Sequence, residues 1–114
     1  MKGAFAIEQT MRILRSPVNT YALSECNSAG ALLLAAGTGT RRAFEGAVIV
    51  IHGLKIGPLA PKEFVERVQN NHEEFWRKHA RFPAGWQPLS AGTNHFVSAD
   101  DALKYGVVDE VVKR

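Results

Sequence analysis

Tyr21-Ala-Leu-Ser-Glu-Cys-Asn-Ser28-Ala-Gly-Ala-Leu-Leu-Leu-Ala-Ala-Gly37 passes from residues suited to a strand, through a small polar turn, into a run without a single polar side chain. Ser28 stands directly before that run. A sharp strand-to-helix turn pushes one hydroxyl into the open at a helix N-terminus, where backbone N–H groups face an anion, and α/β hydrolytic enzymes present a nucleophile in this way. The pattern is close to Gly-x-Ser-x-Gly, with Cys26 in the first glycine position and Gly30 in the second. A serine in this place also serves as the plain N-cap of a buried helix. Spacing alone leaves both uses open.

Working outward, Ala29 to Ala36 has no polar face and predicts a helix buried on every side. Val18 to Leu23 favours a strand leading into the Ser28 turn. Before it, Phe5, Ile7, Met11, Ile13 and Leu14 give Ala4 to Leu14 a loose helical period, closed by Ser16-Pro17. Gly37-Thr-Gly-Thr ends the apolar helix, and Arg41 to Phe44 predicts a short strand. Glu45-Gly46 then turns the chain into Ala47-Val-Ile-Val-Ile51, a β-branched run without alternation, as expected of a central parallel strand covered on both faces. His52-Gly53 follows at once. In open α/β sheets the ligand crevice lies outside the carboxyl ends of the strands, and Ser28 and His52 both sit just past such ends. The plainer reading of His52 is a loop histidine bonded to backbone.

Leu54 to Ala60 reads as a loop, and Pro61 suits the first turn of the longest helix, Pro61 to His79. Its apolar stripe, Phe64, Val65, Val68, His72, Phe75, Trp76 and His79, either covers the sheet or faces another subunit. His72 and His79 lie near Glu73 and Glu74, but the spacing is not His-Glu-x-x-His and no cysteine joins them, so no metal site is expected. Arg81 to Pro88 is a loop with Trp86 as a packing anchor. Ser98 with Asp100 and Asp101 makes an N-cap and acidic first turn for a short helix ending at Gly106, and Val107 to Val112 reads as a last strand. The order of elements belongs to the α/β class.

The chain has 114 residues, 46% hydrophobic and 22% charged, enough for one domain, residues 1–114, with a modest core. A net charge of +3 from scattered basic residues is a weak argument for nucleic acid, and none is expected as a partner. One cysteine excludes an internal disulfide and fits a reducing compartment. The apolar run before Glu8 is too short for a signal peptide, and no stretch is long enough to span a bilayer. A cytoplasmic location is the expectation.

Four fragments in order resemble the proteolytic subunit of the ATP-dependent Clp protease: Gly3-Ala-Phe-Ala-Ile-Glu-Gln-Thr-Met11, the run from Ser28 to Gly37, Ile49-Val-Ile-His52 with Arg41 and Arg42 upstream, and Phe96-Val-Ser-Ala-Asp-Asp-Ala-Leu-Lys-Tyr-Gly-Val-Val-Asp109. The resemblance runs from about Gly3 to Val112. It implies a Clp/crotonase-like fold, a mostly parallel sheet flanked by helices, without the N-terminal βα repeats. It further implies a serine-type endopeptidase with Ser28 as nucleophile, His52 as general base and the Ala29 N–H as an oxyanion donor, needing no cofactor. Implied partners are unfolded polypeptide substrates, further copies of the chain in a ring, and an AAA-type unfoldase.

Where the family has Gly and paired Ala around the serine, this chain has Ser24, Cys26 and Asn27. The segment from His52 to Phe96 is shorter, so the Pro61 to His79 helix reads as a reduced inter-ring handle. The family's catalytic aspartate falls near Ser90, and no carboxylate occurs between Glu74 and Asp100. The third acid is left unassigned: either it comes from elsewhere, with Asp100 and Asp101 as substitutes, or His52 works without one. The family's preceding βα half, which binds substrate and gives a second oxyanion donor, is not in this sequence, so the chain reads as a shortened homologue or as a fragment of a longer frame. Two other readings stand beside the peptidase: a non-catalytic ring or scaffold subunit, and a crotonase-type acyl-CoA binder in which Ser28 and His52 would serve no purpose. Cys26 as the nucleophile ranks below both.

Overall fold

In the computed structural model, residues 2–53, 59–83 and 94–113 are described. The apolar run forms helix α2 (Ala29–Ala36), reached through β1 (Thr20–Ala22) and β2 (Glu25–Asn27) and preceded by α1 (Lys2–Ile13). After it come β3 (Arg41–Phe44), β4 (Val48–His52), α3 (Lys62–His79), β5 (Asn94–Ser98), α4 (Ala99–Lys104) and β6 (Glu110–Val112). The strands make two three-stranded sheets, β1-β3-β6 and β2-β4-β5, with helices against them. The chain steps from the first sheet to the second between β1 and β2 and again between β3 and β4, and returns between β2 and β3 and between β5 and β6, so that β1 pairs with β3 and β2 with β4 in parallel. β6 extends the first sheet in parallel, whereas β5 joins β4 antiparallel. This is an α/β fold with parallel-rich sheets.

The core sits where α2 meets both sheets. Ala31, Leu32, Ala35, Ile49, Ile51 and Val97 are among the most deeply buried residues. The small, buried side chains of Ala31, Ala35 and Ala36 let α2 approach closely, and Thr20 Oγ1 donates to the Leu34 carbonyl at 2.7 Å to fix β1 against its end. A Cβ on Gly37 would stand 2.7 Å from that same Thr20 oxygen, which is why the helix ends on glycine. Only Ala29, Gly30 and Leu33 of α2 keep partial exposure, close to the expected full burial.

Three expectations change. Glu25–Asn27 is a strand and not part of a polar turn, because β4 supplies its hydrogen-bonding partners. β4 lies centrally but between one parallel and one antiparallel neighbour. Its alternate residues Ile49 and Ile51 are buried while Val48 is exposed, so only one face is covered; across the open face Phe96 is 75% exposed. Finally, α1 buries Ala4, Glu8 and Met11, the i, i+4, i+7 line that meets α2, and leaves Ile7 and Ile13 exposed, as is Leu14 just past its end. Glu8, 4% exposed, is paired with Arg12 at 2.8 Å.

α3 is amphipathic as expected, yet only its C-terminal half is packed. His72, Phe75 and Trp76 are buried, with Phe75 edge-on to Phe5 of α1, whereas Phe64 is exposed. Ser98 caps α4 by accepting from the Asp101 N–H at 3.1 Å, as the sequence predicts. The paired Arg41 and Arg42 are held within the fold by the cross-strand carboxylates Asp109, at 2.8 Å, and Glu110, at 3.0 Å. Among the described residues, no helix is long and apolar enough to cross a membrane.

Candidate active site

β2 and β4 run side by side with Asn27 opposite Val50, so the residues that follow them, Ser28 and the end of β4, emerge together. The Ser28 N–H donates to the Val50 carbonyl at 2.9 Å, and the Ser28 carbonyl accepts the first helical bond, from Leu32 N–H at 3.1 Å. These two bonds hold Ser28 at φ 50°, ψ −110°, the only positive φ at a non-glycine residue among those described. A Cβ is crowded there, and such a conformation costs roughly 1–3 kcal/mol that the surrounding fold must outweigh. The hydroxyl makes no capping bond to α2. It is turned instead to His52, where Oγ meets Nε2 in a short hydrogen bond. The N-cap use of Ser28 is therefore replaced by a strained turn with the hydroxyl aimed at an imidazole, the geometry of a nucleophile elbow.

The other ring nitrogen fixes the tautomer. His52 Nδ1 lies 2.7 Å from the Gly53 carbonyl, and a carbonyl only accepts, so Nδ1 carries the hydrogen. Nε2 is then left with a lone pair toward the Ser28 O–H. A backbone carbonyl thus takes the place where a carboxylate orients the ring in a Ser-His-Asp arrangement. Asp100 and Asp101 are not brought to this end. Ser98 is opposite Val48 and Asn94 opposite His52, so the start of α4 lies at the other end of β4. Four strand steps separate the two ends, about 13 Å. Ser90 and Trp86 lie outside the described residues. Cys26 is half-buried beneath the turn, and burial pushes its thiol up to about 11, so it is a thiol and not a thiolate at neutral pH.

His72, on the apolar stripe of α3, is the one buried histidine, at 2% exposure. Trp76 Nε1–H donates to its Nε2 at 3.2 Å. Burial first, and the neighbouring His52 second, push His72 down to about 4 from an ordinary 6.5. The unfolded chain therefore binds a proton between about 6.5 and 4 that the folded protein refuses, and stability falls as pH drops through that window, by on the order of 3 kcal/mol in all. His79, lowered by burial, acts in the same direction. Asp109, held low by its bond from Arg41, contributes stability that persists to lower pH and is lost beneath the ordinary carboxylate range. Thermal unfolding at a series of pH values should show the midpoint falling from pH 7 toward pH 4.5, with a flatter profile in His72→Gln. An equal slope in that variant would assign the effect elsewhere. Among the described residues no three His, Cys, Asp or Glu side chains gather as a metal site.

The fold and this pair define the class first: an α/β domain with parallel-rich sheets that presents a hydroxyl to an imidazole at adjacent strand ends. Comparison with known proteins supplies the family. The family model described as Clp protease matches residues 1–114. The chain is 31% identical over 119 aligned positions to an ATP-dependent Clp protease proteolytic subunit of Deinococcus radiodurans, covering 96% of this chain and 58% of that protein. It is 34% identical over 116 positions to an ATP-dependent Clp protease proteolytic subunit 2 of Corynebacterium jeikeium, covering 93% of this chain and 55% of that protein. This chain belongs to the Clp protease family. It spans a little over half the length of these curated relatives.

Proposed function

We propose that this chain is a serine-type peptidase subunit of the Clp kind. The observation that carries the reading is the hydrogen bond from Ser28 Oγ to His52 Nε2, made from a strained turn at a helix start. Ser28 Oγ attacks a scissile carbonyl, and its proton passes to His52 Nε2. The Ala29 amide, in the first turn of α2 where N–H groups lack intrahelical partners, contacts the oxyanion. His52 then protonates the leaving amine, and water releases the acyl group by the same steps in reverse. Through these steps the imidazolium is steadied at Nδ1 by the Gly53 carbonyl, a weaker partner than a carboxylate. Substrates are unfolded polypeptides. The working assembly is a cytoplasmic ring of such subunits served by an AAA-type unfoldase.

A fluorophosphonate probe tests the chemistry directly. Stoichiometric modification of the wild-type chain and none of Ser28→Ala is the expected result, read by intact-protein mass spectrometry. If a folded wild-type chain takes up no probe, the peptidase reading fails and a non-catalytic family member takes its place.

A further inference from the structure

A surface cleft of about 470 Å³ opens between the last turn of α3 and the turn from α4 to β6, well apart in the chain from Ser28. Four of the side chains that line it are cationic, Arg41, Arg77, Lys78 and Arg81, against the single carboxylate of Asp109. Arg41 is already committed: its Nε and Nη2 donate to Asp109 at 3.1 and 2.8 Å, and its Nη1 to the Ala35 and His79 carbonyls. Asp109 is thereby neutralised. Arg77, Lys78 and Arg81 make no ion pair among the described residues.

Charges in the last turn of a helix complement its carbonyl end, which accounts for Arg77 and Lys78. It does not account for Arg81, which lies past the helix. Arg81 N–H donates to the Tyr105 carbonyl at 2.6 Å, and its guanidinium is laid over Gly106, with atoms 3.7 to 3.9 Å from where a Cβ would stand. Gly106 has φ +75°, so the floor under that guanidinium is one that favours glycine. Three cations without an ion pair among the described residues thus face one cleft from the last turn of α3 and the segment just past it.

We propose that this cleft binds an acidic polypeptide segment, with carboxylates spaced along the chain meeting Arg77, Lys78 and Arg81. Three separate long side chains, two of them in the last turn of α3 and one just past it, suit several spaced carboxylates better than one compact phosphate. The proposal rests on this charge arrangement alone and does not depend on Ser28 being a nucleophile.

The test is fluorescence anisotropy of a labelled oligoglutamate peptide titrated with the full chain at low ionic strength. Binding is expected, with weakening as salt is added and none for the oligoglutamine counterpart. Arg77→Gln with Arg81→Gln should weaken it by about tenfold. Lys62→Gln with Arg67→Gln removes the same charge from the exposed half of α3 and should leave binding unchanged. Lys78→Gln alone gives a smaller loss and serves if the double variant unfolds. Equal weakening by both pairs, no oligoglutamate binding, or full displacement by inorganic phosphate at matched ionic strength would each overturn the proposal.

Discussion

Replacing His52 with alanine is expected to slow fluorophosphonate modification of Ser28 by about 10²–10⁴-fold, the usual contribution of a positioned general base. A serine hydroxyl is a weak nucleophile until its proton has somewhere to go. In this fold the acceptor is Nε2 of His52, in direct hydrogen-bond contact with Oγ, and Nδ1–H on the Gly53 carbonyl keeps it in the accepting tautomer. The substitution removes the proposed base and leaves the turn, since the Ser28 backbone is held by its bonds to Val50 and Leu32 and not by the imidazole. Second-order rate constants for wild type and His52→Ala, with circular dichroism to show that both are folded, give the comparison. An unchanged rate constant would mean that His52 is a bystander.

Replacing Trp76 with alanine should remove about 3–5 kcal/mol of stability, the range for deleting a large buried aromatic. Trp76 is 1% exposed, and its ring touches Phe75 at 5.3 Å and Phe82 at 5.8 Å between centroids. Truncation opens a cavity that these neighbours fill only in part. It also strips the donor from buried His72 Nε2. Domains of this size have about 5–15 kcal/mol in total, so the variant stands near the folding threshold. Trp76→Phe keeps most of the volume and isolates the hydrogen bond. Urea unfolding read by far-UV circular dichroism measures all three proteins. A loss below about 1 kcal/mol for Trp76→Ala would show that the C-terminal half of α3 is not part of the core.

Much of this site was legible in the residues themselves. The apolar run from Ala29 to Ala36 reads as a buried helix and Val48 to Ile51 as a strand, and Ser28 and His52 read as neighbours at strand ends, although His52 is the last residue of β4, paired with Asn94, and does not lie past it. The Ser98 cap was equally plain, because an N-cap is a local bond between a side chain and an amide three residues on. Glu25–Asn27 was not legible as a strand, since three polar residues acquire that shape only from the hydrogen bonds of β4. The strand formed by Asn94–Ser98 likewise depends on its antiparallel partner. Nor could sequence separate the two uses of Ser28. Its φ of 50° is imposed by a bond to Val50, 22 residues away in number, and is visible only once the sheets are formed.

By itself, then, the sequence determined the class of fold, the buried helix and the two residues placed at neighbouring strand ends, because periodicity, capping and β-branching act over a few residues. The tertiary structure alone decided that the hydroxyl turns from the helix to the imidazole and that the Gly53 carbonyl selects the tautomer. It alone set Asp100 and Asp101 at the far end of β4, and buried His72 beside His52. Each of these rests on contacts between distant segments, whose geometry is fixed by strand register and helix packing and leaves no local trace in the chain.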